Sequence, residues 1–158
     1  MEIEIYTDGS CTKSGSKGGW AAIFVARNQK LFLQKYICGY DSQTTSNRME
    51  VVPIINVLQK ISQFPFNYNN ITIYSDSKYA INTCSGWVDN WVRTGRLDSM
   101  KNPDLWNDFI KIREFCPINL IKYQWIKGHA GHKYNEMADY YAGQARIKQL
   151  NIKVLTSC

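Results

Sequence analysis

The chain has 158 residues, of which 44% are hydrophobic and 20% charged, with a formal net charge of +6. That is an ordinary globular balance, long enough for one domain with a sizeable core. No apolar run approaches the ~20 residues of a membrane span, and no signal or transit peptide is expected, since Met1 leads directly into strand-like sequence. Five cysteines, an odd number without any C-x-x-C spacing, point to reduced thiols and a cytoplasmic location rather than a disulfide framework or a zinc site. The basic excess is concentrated late: residues 120–158 carry six basic side chains against two acidic ones. A basic surface suits a polyanionic partner, although +6 is by itself a weak discriminator.

In chain order, "EIEIYTD" alternates apolar and polar residues and predicts a strand. The glycine- and serine-rich "GSCTKSGSKGG" predicts a turn, and "WAAIFVARNQKLFLQKYICGY" a hairpin turning near residues 28–30. "TTSNRMEVVPIINVLQKI" predicts a helix with Val51, Ile55, Leu58 and Ile61 at core spacing. Pro53 falls inside it and removes a backbone donor, so a kink or altered first turns are expected. "NITIYSD" is the next strand, followed by helical "SKYAINTCSGWVDNWV" with a break expected near Gly86. "NPDLWNDFIKIREF" is a helix with a proline-initiated start, "INLIKYQWI" a strand, and "HKYNEMADYYAGQARIKQL" a long last helix. No linker or long-period repeat divides the chain, so residues 1–158 are expected to form a single domain. Early strands with hairpin signals, then helices alternating with strands, imply an α/β fold with a mixed sheet.

Two of the strands rhyme: "IEIYTD" at residues 3–8 matches "ITIYSD" at residues 71–76 position for position, and each ends in an aspartate. Parallel neighbours lie ~4.8 Å apart, which would bring Asp8 and Asp76 together at the carboxyl edge of the sheet, where open α/β sheets place their sites. Adjacent carboxylates repel, and a cation resolves the conflict; carboxylates with water and phosphate oxygens are the ligands magnesium prefers. Taken singly, Asp8 could start a turn with Gly9 and Asp76 could cap a helix; their shared phase favours the paired reading. Glu50 lies in "SNRME", where Asn47 and Glu50 have capping-box spacing. It also shares a helical face with Pro53, Ile54 and Val57, and an acid at the edge of an apolar face needs a partner. In the last helix Asp139 and Glu136 lie one turn apart beside an Ala138–Ala142–Ala145 stripe, and the residues alone do not choose between them.

"YTDGSC", "TTSNRMEVV", "YSDSKYAI" and "WIKGHAGHKYNEMADYYA", in this order and spacing, resemble the type 1 ribonuclease H family across about residues 3–146. The resemblance implies a mixed five-stranded sheet with helices on both faces, and hydrolysis of the RNA strand of RNA–DNA hybrids with two magnesium ions, for which manganese can substitute. The products would carry 5′-phosphate and 3′-hydroxyl ends. The family's four metal-binding carboxylates carry over onto Asp8, Glu50, Asp76 and Asp139, which selects Asp139 over Glu136. Its loop histidine carries over onto His129, a proton carrier between Gly128 and Gly131. Imidazole ordinarily titrates near neutrality. Zinc held by His129 and His132 is the rival, but structural zinc wants four ligands and no cysteine lies nearby in sequence; His132 is expected to begin the last helix.

The segment at about residues 86–102 resembles the family's basic protrusion, implying substrate contacts from Trp87, Trp91, Arg93, Arg96 and Lys101. Core packing is the competing reading for at least one of the tryptophans, and Asp89, Asp98 and Asp104 dilute the basic charge. By the same resemblance the backbone near Cys11, with Ser46 and Asn47, would read 2′-hydroxyls, and Thr45 and Thr44 would touch a DNA phosphate. The sequence departs from the family's common pattern in the "TKSGSKGG" turn, at Ser46, where asparagine is common, and at Lys78, where glutamine is common. A monomer without membrane attachment is expected. Two alternatives are a hybrid-binding module that has lost activity and a junction-resolvase type of nuclease on the same fold. The intact carboxylates argue against the first, and the joint presence of "NRME" and "GHAGH" against the second.

Overall fold

The alternating start of the chain becomes the middle of a mixed sheet. In the computed structural model, which describes residues 1–14, 16–30, 32–63 and 67–157, β1 (Glu2–Cys11), β2 (Gly18–Arg27) and β3 (Phe32–Asp41) form an antiparallel meander. β4 (Asn70–Ser75) lies parallel to β1 on its other side, and β5 (Ile121–Trp125) lies parallel to β4. These are the five strands expected. A sixth, β6 (Ile152–Ser157), pairs antiparallel with β3, giving the order β5-β4-β1-β2-β3-β6.

Helices cover both faces, as expected. α1 (Ser46–Gln63) and α4 (Pro103–Arg113) pack on one face, where Ile3, Ile5, Ile71 and Ile73 meet Val51, Ile54, Leu58, Trp106 and Phe109. Val51, Ile55, Leu58 and Ile61 are all buried. On the other face α5 (Lys133–Lys148) lays its small-residue stripe on the sheet, with Ala138, Ala142 and Ala145 fully buried against Ala21, Ile23, Val25 and Cys38. The approach is so close that a Cβ on Gly19 would run into the Ala142 carbonyl oxygen.

α1 runs unbroken through Pro53. The proline cannot donate to the Met49 carbonyl one turn earlier, and that carbonyl is covered by β1 instead: a Cβ on Gly9 would fall 2.6 Å from Met49 C and O. The expected break near Gly86 is a widened turn rather than an interruption. α2 (Lys78–Asn82) passes through a π-helical turn, residues 83–87, into α3 (Val88–Arg93), and the Val88 N–H reaches back to the Thr83 carbonyl. Cys11, Cys84 and Cys116 are free thiols, and Cys158 lies outside the described residues. Among the described residues no helix is long and apolar enough to cross a membrane.

Candidate active site

The rhyme between β1 and β4 is realised in register: Ile3 pairs with Ile71, Ile5 with Ile73 and Tyr6 with Tyr74, whose rings stack at 4.7 Å. Thr7 Oγ1 donates to the Tyr74 carbonyl at 3.1 Å, tying the two strands together just before their aspartates. Asp8 takes the Gly9 N–H at 2.9 Å, but the strand continues through Cys11, so Asp8 does not start a turn. Asp76 does not cap α2; the Ser77 side chain does, accepting from Ala80 N.

Helix α1 brings the third acid. Its first turn is capped by Thr45, whose Oγ1 accepts from Arg48 N at 3.3 Å. The Asn47–Glu50 capping box is therefore not what holds Glu50, whose buried Oε2 has no hydrogen-bond partner among the described residues. Ligand oxygens of Asp8, Glu50 and Asp76 all lie within 4.8 Å of one another. Burial first, and then the charge of Asp76, pushes the Asp8 carboxyl up to about 8. Burial, with the charges of Asp8 and Asp76, holds Glu50 well above the usual carboxylate range. Asp76 is raised chiefly by burial, opposed by the nearby charge of His129.

Three crowded carboxyl groups, each raised by burial, with one buried oxygen that has no hydrogen-bond partner among the described residues, are a donor set that a hard divalent cation would satisfy. Asp139, half-buried on α5, lies outside that tight group, yet its charge raises both Asp8 and Asp76. Glu136 one turn earlier is exposed.

His129 is exposed in the loop after β5, at a left-handed φ of 54°, and Gly131 is at 82°. His132 is the N-cap of α5, its Nδ1 accepting from Asn135 N at 3.5 Å; neither histidine belongs to the acidic group. Gly128 serves close approach rather than freedom of φ. A Cβ there would fall 2.5 Å from Asp76 Oδ2 and 3.3 Å from its Cγ. Gly128→Ala is therefore expected to displace the Asp76 carboxylate and lower turnover by about 10²-fold, the cost of a displacement near 1 Å, with an altered dependence on divalent metal. Equal turnover in the two proteins at saturating metal would show that the loop yields instead.

The remaining sequence-selected residues lie on two neighbouring surfaces. Thr45, Ser46, Asn47 and Lys101, with Asn102, line one open groove of about 430 Å³ between the start of α1 and the end of the 86–102 segment. Cys11 closes β1, half-buried, opposite Gly18. Of the two tryptophans, Trp91 is core, 8% exposed and edge-on to Trp106 at 6.4 Å, while Trp87 is 50% exposed. Arg93 and Arg96 are exposed, and among the described residues their side chains bond within their own segment, to Asn90 and Thr94. Asp89 is paired with Arg113, and Asp104 with Arg48 through two bonds of 3.0 and 2.7 Å.

Arg48 also reaches Asn102, which donates to the Tyr79 hydroxyl; Trp106 Nε1 donates to the same hydroxyl at 2.9 Å. This junction fixes the segment to the helix that carries Glu50. Sequence reasoning missed it, because its partners are 23 to 56 positions apart and nothing local marks them.

The sheet order and the two helical layers define the fold class of type 1 ribonucleases H. The solved structure of LC9-RNase H1, described as a type 1 RNase H with the type 2 active-site motif, superposes with a TM-score of 0.87. It is 23% identical, and the match covers 99% of this chain and 77% of that one. LC11-RNase H1 in complex with an RNA/DNA hybrid matches at a TM-score of 0.66, 20% identity, and 94% and 99% coverage. The RNase H family model matches residues 1–147. The ribonuclease H of Treponema denticola is 35% identical over 95% of this chain and 100% of its own length, and that of Hahella chejuensis 38% identical over 89% and 90%. The chain belongs to the RNase H family and is a ribonuclease H hydrolase.

Proposed function

We propose that this protein is an endonuclease that cuts the RNA strand of RNA–DNA hybrids with two bound magnesium ions, leaving 5′-phosphate and 3′-hydroxyl ends. The observation that carries the reading is the gathering of Asp8, Glu50 and Asp76 within 4.8 Å, with Glu50 Oε2 buried and unpartnered. Asp8 and Asp76 would hold ions from adjacent parallel strands, Glu50 from α1 and Asp139 from α5. Two ions, when bound, supply a water of lowered pKa and stabilise the charge on the leaving oxygen. The chain's own residues do the rest. The four carboxylates would fix where the ions sit, and through them the attacked phosphate, and Gly128 keeps the loop against Asp76. The exposed His129 imidazole carries the proton to or from the reacting oxygens.

At the groove, Ser46 and Asn47, with the backbone near Cys11, would read the 2′-hydroxyls of the RNA strand, while Thr45 and the exposed Trp87, Arg93, Arg96 and Lys101 of the protrusion would take phosphates of the DNA strand. Buried Trp91 supports that protrusion from within. One domain, monomeric in this reading, holds both parts, and the free cysteines support a reducing, cytoplasmic setting.

The test is cleavage of sequence-matched RNA–DNA, RNA–RNA and DNA–DNA duplexes with and without magnesium, with end analysis. We expect magnesium-dependent cutting of the RNA of the hybrid alone. Comparable cutting of the RNA–RNA or DNA–DNA duplex, or metal-independent cutting, would overturn the reading.

A further inference from the structure

Lys78 stands two residues beyond Asp76, at the start of α2, with its side chain exposed. Its ammonium lies 4.8 Å from the centroid of the Trp125 ring, and the Trp125 indole N–H donates to the Asp76 backbone carbonyl at 2.9 Å. Lys78 takes part in none of the ion pairs among the described residues.

A lysine on a surface normally samples many rotamers. This one is held over an aromatic face, and that face is hydrogen-bonded to the residue that supplies a carboxylate of the acidic group. Two residues span at most about 7 Å of chain. The lysine is therefore rooted beside the acidic group, with its side chain exposed and in none of the ion pairs among the described residues. A compact, strongly hydrated ammonium, already restricted to one region, suits a single phosphate as a point charge.

We propose that Lys78, held on Trp125, is a phosphate-binding residue that takes the backbone phosphate next to the scissile one. The inference rests on the reading that Asp8, Glu50 and Asp76 hold the metal ions at which a hybrid strand is cut. The contact needs no metal, because the ammonium acts directly. It would therefore contribute to binding in the absence of magnesium and fix the strand's register over the carboxylates. Trp125 acts through Lys78, as a positioning residue.

The experiment measures binding of a defined hybrid duplex in chelator across a salt series, and kcat and KM in magnesium, for the wild type, Lys78→Gln, Lys78→Arg, Trp125→Phe and Trp125→Leu. One lost phosphate contact lowers the steepness of log K against log salt by about 0.9, so the wild-type advantage over Lys78→Gln should shrink about 3-fold to 4-fold between roughly 50 and 200 mM salt. KM should rise in Lys78→Gln with kcat nearly unchanged. Lys78→Arg should restore the slope. Trp125→Phe, which keeps the ring and loses the N–H, should keep the slope, and Trp125→Leu should lose it.

An unchanged slope in Lys78→Gln overturns the proposal. So does tighter magnesium binding with unaltered hybrid binding, which would make Lys78 a counter-charge to the acids. A wild-type protein that does not cleave the hybrid overturns the functional reading as well. A wild type that cleaves beside an indifferent Lys78→Gln overturns this proposal alone.

Discussion

Asp76→Asn is expected to lower magnesium-dependent cleavage by at least about 10³-fold, while His129→Ala leaves the metals bound and reduces turnover by no more than about 10²–10⁴-fold. Asp76 belongs to the tight group with Asp8 and Glu50, whereas His129 is exposed and outside it. Removing a charged ligand removes several kcal/mol of transition-state stabilisation, and each 1.36 kcal/mol is about tenfold in rate. Removing a proton carrier leaves water to do the same task poorly. Calorimetric magnesium titration beside single-turnover rates separates the two, and free imidazole should partly restore His129→Ala. Loss of metal binding in His129→Ala, or an indifferent His129→Ala beside a crippled His132→Ala, would refute the assignment. Because His132 caps α5, thermal unfolding of that variant belongs in the comparison.

Asp8→Asn is expected to abolish cleavage and, at the same time, to stabilise the metal-free protein. Folding raises the Asp8 carboxyl from its ordinary 3.8 to about 8, by burial first and by the charge of Asp76 second. Between those values the folded state keeps a proton that the unfolded chain has released. Wherever the unfolded state binds fewer protons, stability falls as pH rises. The metal-free protein should therefore be stabler toward pH 4 than near pH 8 as far as this group is concerned, and an amide removes the dependence. A gain on the order of 1–3 kcal/mol is expected, the scale of an unsatisfied buried polar group, at about 2–4 °C of Tm per kcal/mol for a domain of this length. Thermal unfolding in chelator at low and high pH reads it. Saturating magnesium should return the advantage to the wild type, since a ligand that binds only the folded state stabilises it. Equal melting of the two metal-free proteins at high pH would mean that the acids are not in conflict.

The sequence made the site's frame readable where the pattern was local or repeated. The residue-by-residue rhyme of β1 and β4 became a register, and the alanine stripe of α5 became a close helix–sheet contact. Glu50 was ambiguous because a capping box and a ligand use the same residue type. Thr45 takes the cap, so capping does not account for Glu50. Asp139 and Glu136 could not be told apart from spacing alone, since one turn separates them; packing on the sheet leaves one half-buried and the other exposed. The Arg48–Asp104 pair, the Tyr79 junction and the Lys78–Trp125 contact depend on where distant elements land, which periodicity does not encode. β6 was passed over because a short β-prone run looks the same whether or not an edge is waiting for it.

The π-helical turn between α2 and α3 bears on tolerance to insertion and deletion. A turn closed by an i to i−5 bond contains one residue more than an α-turn needs. Deleting exposed Ser85 or Gly86 would let Val88 bond one position nearer and convert the bulge into ordinary helix, with the helical stretches before and after it still facing the same way. The same deletion inside α4 has no such slack. It would turn every later residue by about 100° about the axis and carry Trp106 or Phe109 out of the core. Chain length is thus negotiable at the root of the protrusion and fixed in the helix beneath it.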